Sequence, residues 1–131
     1  MRETFDVAGI TTSDSEYPSA VVVGDTVYVS GQVSFAEDGT AVHVGNVTAQ
    51  TAQCISRLST VLDVVGSSLV DVVQATVYLS DASYAADFNR EWVRWFPDSR
   101  PARATVVAQL LDPLLLVEVQ ATAVRGSGDV R

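Results

Sequence analysis

Arg103 and Glu118 are the two residues of this 131-residue chain whose types and setting most suggest chemistry. They stand in PARATVVAQLLDPLLLVEVQATA, residues 101–123, a stretch that is otherwise mostly apolar and is broken by Asp112-Pro113. A guanidinium grips a carboxylate through two parallel hydrogen bonds, a geometry no ammonium reproduces. A carboxylate set among apolar residues has its pKa pushed upward, so it can trade a proton with water or with a departing nitrogen. The competing reading is that the two pair with each other or lie on a solvated face. Read as a hairpin turning at Asp112-Pro113, the stretch puts both on one face but four positions apart, roughly 13 Å at about 3.3 Å per residue, too far for a direct pair.

The elements that must position these residues follow from periodicity. Val21-Val22-Val23 and Thr26 to Phe35 read as two strands joined by Gly24-Asp25, which supplies the positive φ of a two-residue turn. Ala52, Ile55, Leu58, Leu62 and Val65 recur at three-four spacing, which predicts a helix from Thr48 to about Val65 with Gly66 as its stop. Asp71 to Leu79 alternates as a strand, with Val73, Ala75, Val77 and Leu79 on one face and Gln74, Thr76 and Tyr78 on the other. Tyr84, Phe88, Trp92 and Trp95 recur at helical spacing behind a candidate cap, Ser83, and Pro97 ends the run. Phe88 and Trp92 in such a stripe are read mainly as core. The order is β-β-α-β-α-β-β, an α+β layout with two helices on one face of a mixed sheet. The other face carries Gln74, Thr76, Tyr78, Leu116, Glu118 and Gln120, a half-apolar set that suits packing against further copies of the chain.

Composition narrows the function. At 13.9 kDa and 47% hydrophobic residues, residues 1–131 suit a single domain with a real core. No apolar run reaches membrane-spanning length and MRETFDVAGITTSDSEYP has no export pattern, so a cytoplasmic protein without membrane contact is expected. A net charge of −8 disfavours nucleic acid, whose phosphates require a basic face. All eight basic residues are arginine, which excludes a lysine Schiff base. One histidine, His43, and one cysteine, Cys54, make no metal set or Cys/His pair, and Cys54 reads as an inert helix residue.

VGDTVYVSGQVSF, DVVQATVYLSD, the FN of DFNREW, PARATV and LLVEVQATAV, in that order from about Tyr17 to Arg125, together resemble the Rid (YjgF) family, the reactive-intermediate deaminases. The resemblance implies a chorismate-mutase-like fold assembled as a homotrimer, with clefts between subunits. It implies hydrolysis of enamines and imines of the 2-aminoacrylate or 2-iminopropanoate type to a 2-keto acid and ammonia, with no cofactor and no metal. The family's carboxylate-binding arginine falls on Arg103 and its water-positioning glutamate on Glu118. Gly31 matches a backbone contact to substrate, Tyr17, Ser30 and Asn89 match further cleft residues, and Thr105 matches a small pocket-lining position. Two departures stand out: Ser15-Glu16-Tyr17-Pro18 replaces the family's usual Gly-Pro-Tyr opening, and the segment 97–100 is about three residues shorter than is typical. They leave room for a pathway-dedicated relative acting on a larger imine or enamine by hydrolysis, tautomerisation or cyclisation. A chaperone-like small-molecule binder and the RNA-acting protein that some members have been called are the non-deaminase alternatives.

Overall fold

The computed structural model describes residues 1–129. Six strands form one sheet: β1 (Arg2–Phe5), β2 (Ala20–Val23), β3 (Thr26–Val33), β4 (Val72–Leu79), β5 (Ala102–Val107) and β6 (Val117–Val124). Two helices, α1 (Val47–Val64) and α2 (Ala85–Trp95), cover one face. The sheet order is β1-β2-β3-β6-β4-β5, antiparallel throughout except for the parallel β4–β5 pair. The α+β architecture with two helices on a mixed sheet is the expected one.

The core is the apolar register of the sheet closed by two helical stripes. Val27, Val29, Ala75, Val77, Leu79, Val117, Val119, Ala121 and Ala123 face Ile55, Leu58, Leu62 and Phe88, all essentially without solvent contact. Asn46 caps α1, its Oδ1 accepting from the Ala49 N–H at 2.9 Å, and Gly66 ends the helix at φ 79°. Gly24 adopts φ 60° between β2 and β3, as the turn requires.

Four expectations need correction. Residues 101–123 do not form a hairpin: β5 and β6 lie on either side of β4, and a nine-residue connection, 108–116, passes between them. The run of apolar residues through Asp112-Pro113 had suggested two paired strands, but the pairing partner of each is β4. Val73 faces solvent at 41% exposure, because the β4–β6 register shifts between Val72 and Gln74 and Val72 takes the buried place. Ser83 is not the cap of the second helix; it lies in a 3-10 turn, Ala82–Tyr84, capped by Asp81, whose Oδ1 accepts from the Ser83 N–H at 2.8 Å. Finally, β1 adds an edge strand ahead of β2 that four residues of alternation were too short to announce.

One buried side chain fixes the 108–116 connection. Gln50 of α1 is fully buried; its Nε2 donates to the carbonyls of Leu114 (2.9 Å) and His43 (3.3 Å), and its Oε1 accepts from the Leu116 N–H (2.8 Å). That clamp sets where β6 begins, one residue before Glu118. Gln50→Leu preserves the volume but orphans backbone groups of both Leu114 and Leu116, so chemical denaturation should show a loss of at least about 2 kcal/mol, with a midpoint shift at unchanged m-value.

Candidate functional site

The seven residues singled out in the sequence fall into two groups. Arg103 and Thr105 on β5 stand beside Ala75 and Val77 of β4, whose side chains are buried against the helices, so both point toward the helix face of the sheet. Asn89 on α2 joins them: Arg103 Nη2 donates to Asn89 Oδ1 at 2.6 Å. The guanidinium lies over the rings of Phe88 at 5.2 Å and Trp92 at 5.1 Å, within cation–π range. Phe88 and Trp92 are core residues, at 0% and 7% exposure, as the aromatic stripe predicts, yet their outer edges also form the platform on which Arg103 rests. That second role is the part sequence reading missed; the signal was the sequence Phe88-Asn89 with Trp92 one helical turn on.

Arg103 has no carboxylate within ion-pair distance among the described residues, and one of its five N–H donors is used by Asn89. Partial burial lowers its pKa, although a guanidinium stays protonated throughout the accessible range. The result is a held cation with donors to spare on the edge strand.

Glu118 belongs to the other group. It stands opposite Tyr78 of β4 and Val33 of β3, so it projects from the face that no helix covers. Its neighbour in space is Gly31, so close that a Cβ at that position would overlap the carboxylate. The β3–β6 register shifts between Val29 and Gln32, which takes Ser30 and Gly31 out of that ladder; the Ser30 N–H donates instead to the Ser19 carbonyl, and Gly31 is left against Glu118. Ser30 and Gly31 line a cavity of about 410 Å³ together with Tyr17. Ser30 Oγ donates to the Pro18 carbonyl at 2.7 Å and so holds the segment that carries Tyr17. Glu118 itself borders a different, smaller cavity, about 230 Å³, with Tyr78 and Leu111. Burial raises the Glu118 pKa above the ordinary glutamate range.

The expectation that Arg103 and Glu118 share a face is therefore overturned. Three residues along β4 and two strand spacings across separate their backbones, roughly 14 Å, and the side chains leave opposite faces. Within one copy of the chain, Arg103, Asn89 and Thr105 form one cluster and Tyr17, Ser30, Gly31 and Glu118 another. Cys54 is buried in α1, its thiol pKa pushed up by desolvation and its Sγ 3.7 Å from the Val117 carbonyl, which fits an inert packing residue. Among the described residues no group of three His, Cys, Asp or Glu is placed to hold a metal ion, and no helix is long and apolar enough to cross a membrane.

Comparison with known proteins places this geometry among relatives. The family model described as Endoribonuclease L-PSP matches residues 11–125. A RutC family protein of Sulfurisphaera tokodaii is 34% identical over 110 residues, covering 84% of this chain and 88% of its own. One of Pyrococcus abyssi is 34% identical over 107 residues, covering 82% and 84%. Among solved structures, NMB1025 of Neisseria meningitidis, a member of the YjgF protein family, superposes with a TM-score of 0.81 at 30% identity over 95% of each chain. The Rid protein YyfA of Yersinia pestis, at 23% identity, shares the fold with a TM-score of 0.87 over 95% of this chain and 99% of its own.

The contact between Gly31 and Glu118 generates a test that needs no substrate. Gly31→Ala should cost about 1–3 kcal/mol through overpacking, and Glu118→Ala in the same chain should recover most of it, a coupling read from a double-mutant cycle of unfolding free energies. Additive effects would mean the two residues do not touch.

Proposed function

The chain belongs to the Rid (YjgF) family, and on that premise we propose that it hydrolyses small 2-imino acids and their enamine tautomers to a 2-keto acid and ammonia, at sites shared between copies in a homotrimer. The observation that carries the proposal is the split of the seven residues between two faces. Each half is built and neither is sufficient, so a guanidinium from one copy must meet a carboxylate from the next. Rotational symmetry lets one such contact repeat until the ring closes, and the half-apolar uncovered face, with Tyr28 at 50% exposure beside Thr122 and with Tyr78 beside Glu118, supplies the surface.

In this reading Arg103 takes the substrate carboxylate in a two-pronged hydrogen bond, with Asn89 and the aromatic platform fixing the fork. The Gly31 backbone offers a donor beside the reacting carbon. Glu118 accepts a proton from water as the oxygen bonds to the imine carbon and the C=N π pair moves to nitrogen. Glu118 returns that proton to nitrogen to give the neutral carbinolamine, then takes the proton of the new hydroxyl and passes it to nitrogen as the C=O bond forms and the C–N bond breaks, so ammonia leaves and the 2-keto acid remains. The imine carbon is already electrophilic, so positioning and proton transfer suffice. The raised pKa of Glu118 brings its protonated form closer to the working pH, as an acid/base needs. The ribonuclease activity in the family model's description finds little support in a chain of net charge −8 without lysine.

Arg103→Ala or Arg103→Lys should lower kcat/KM for ammonia release from 2-iminopropanoate by at least ~10²-fold, because loss of a two-pronged charged contact costs about 2–5 kcal/mol. Glu118→Gln should lower kcat while still permitting a 2-keto acid to bind, and should remove an acid limb of the pH profile lying above the ordinary glutamate range. A wild-type rate on small imines that survives Arg103→Ala sinks the mechanism; binding of a keto acid without turnover would favour a binding protein.

The shared site has its own test. Arg103→Ala and Glu118→Ala homotrimers should each be inactive, yet co-refolding them in equal amounts should restore about a quarter of wild-type activity, because one interface in four then joins an intact Arg103 half to an intact Glu118 half. If both residues act within one copy, mixing restores nothing.

The raised pKa also predicts a stability effect with a definite sign. Glu118 binds its proton more tightly folded than unfolded, so folding loses stability as pH rises from the unfolded pKa through the folded one. Glu118→Gln should therefore gain thermal midpoint relative to wild type at pH 7, and the gain should vanish in acid, where Glu118 is neutral in both states.

A further inference from the structure

The 410 Å³ cavity that holds Tyr17, Ser30 and Gly31 is also lined by Arg57, a residue of α1 that the deaminase reading does not use. Arg57 is half-buried, and two neutral oxygens fix its orientation: Nε donates to Gln32 Oε1 at 3.2 Å and Nη1 to the Phe35 carbonyl at 3.1 Å. Gln32, itself 2% exposed, passes the constraint on by donating from Nε2 to the Ser30 carbonyl at 2.9 Å. The guanidinium is thus built into the same bulge that presents Gly31 to Glu118. Three of its five N–H donors have no protein partner among the described residues.

The chain carries sixteen carboxylates against eight arginines, and three arginines are paired: Arg90 with Asp87, Arg94 with Glu91 and Arg125 with Asp25. Arg57 has no carboxylate within 4.0 Å among the described residues, although it is the more buried and gains most from a counterion. Glu37 acts on it from beyond that distance, and Asp14 and Glu16 also line the cavity, but all three are exposed, so solvent screens them. A desolvated cation with free donors, fixed in orientation and opening on a cavity, is complementary to an anion on a ligand.

We propose that Arg57 is a specificity-determining residue that receives a second carboxylate of the substrate, so that the preferred imine is a 2-imino dicarboxylate rather than a short monocarboxylate. The proposal rests on the deaminase reading. Arg103 of one copy holds the carboxylate next to the imine carbon, and Arg57, which lines one cavity with Gly31 of the other copy, holds the distal one. The reaction's atom balance is unchanged. Any supplying reaction must release an imine or enamine from an amino dicarboxylate.

Calorimetry with unreactive 2-keto acids separates the two ideas. Wild-type protein should bind 2-oxoglutarate at least about tenfold more tightly than 2-oxopentanoate, which has the same chain length without the distal carboxylate. Arg57→Met should abolish that ratio, and Arg57→Lys, which keeps the charge and loses the fork, should retain part of it. A ratio near one in wild-type protein overturns the proposal, whether or not Arg57→Met folds. A ratio that survives Arg57→Met also overturns it, because another group then reads the distal carboxylate. In both cases, binding of 2-oxopentanoate that is lost in Arg103→Ala leaves the deaminase reading intact. No binding of any of these keto acids overturns both.

Discussion

The strand Val72–Leu79 is flanked on one side by an antiparallel partner and on the other by a parallel one, and this placement governs everything functional in the molecule. A parallel neighbour requires a crossover connection, which α2 supplies, so the helix that packs over β4 also arrives beside β5. Arg103 then emerges against Phe88, Asn89 and Trp92. The antiparallel neighbour, β6, has its Glu118 beside Tyr78, on the other face. Because side chains alternate with period two, moving either strand by one residue would exchange faces for every residue on it and expose the core. The packing of valines and alanines on the helix face therefore holds Arg103 and Glu118 on opposite sides as a condition of folding.

The two charged residues are prepared in different ways. Arg103 is desolvated by aromatic rings and steadied by one neutral acceptor, which orients the cation without neutralising it. Glu118 is desolvated by the sheet and by Gly31, and its carboxylate is destabilised in place. Both arrangements cost stability in an isolated chain. They fit a protein whose charged groups meet their partners on an incoming ligand or a neighbouring copy. The bulge at Ser30-Gly31 serves both needs, since it removes two residues from the ladder and leaves room for the carboxylate that no side chain at position 31 would tolerate.

Arginine is the only cationic side chain available to this sequence, and the structure uses its fork in three ways. Arg125 donates to the carbonyls of Val65 and Gly24 and closes the end of the sheet. Arg57 bridges a buried glutamine and a loop carbonyl, coupling α1 to the bulge. Arg103 rests on a stacked platform. A lysine could carry the charge at each place but could not make two directional contacts and keep others free.

The sequence alone determined the local elements and the identity of the chemical groups. Three-four spacing of Ile55, Leu58 and Leu62, the alternation of Ala75, Val77 and Leu79, and the positive-φ glycines at 24 and 66 specify helix, strand and turn from nearest neighbours, because each is a short-range property of the backbone. The presence of Arg103 and Glu118 as isolated charged residues in apolar surroundings was likewise legible. What the sequence could not decide was the pairing of β5 and β6. Two adjacent apolar runs look like a hairpin whether they bond to each other or to a strand from thirty residues earlier, because hydrogen-bond partners leave no mark on composition. The one-residue shift that buries Val72 and exposes Val73, the meeting of Gly31 with Glu118 across eighty-seven positions, and the seating of Arg57 against Gln32 all depend on that long-range register. Only the assembled sheet, whose register buries the inner-face valines of β3, β4 and β6, assigns Arg103 and Glu118 to their two sides.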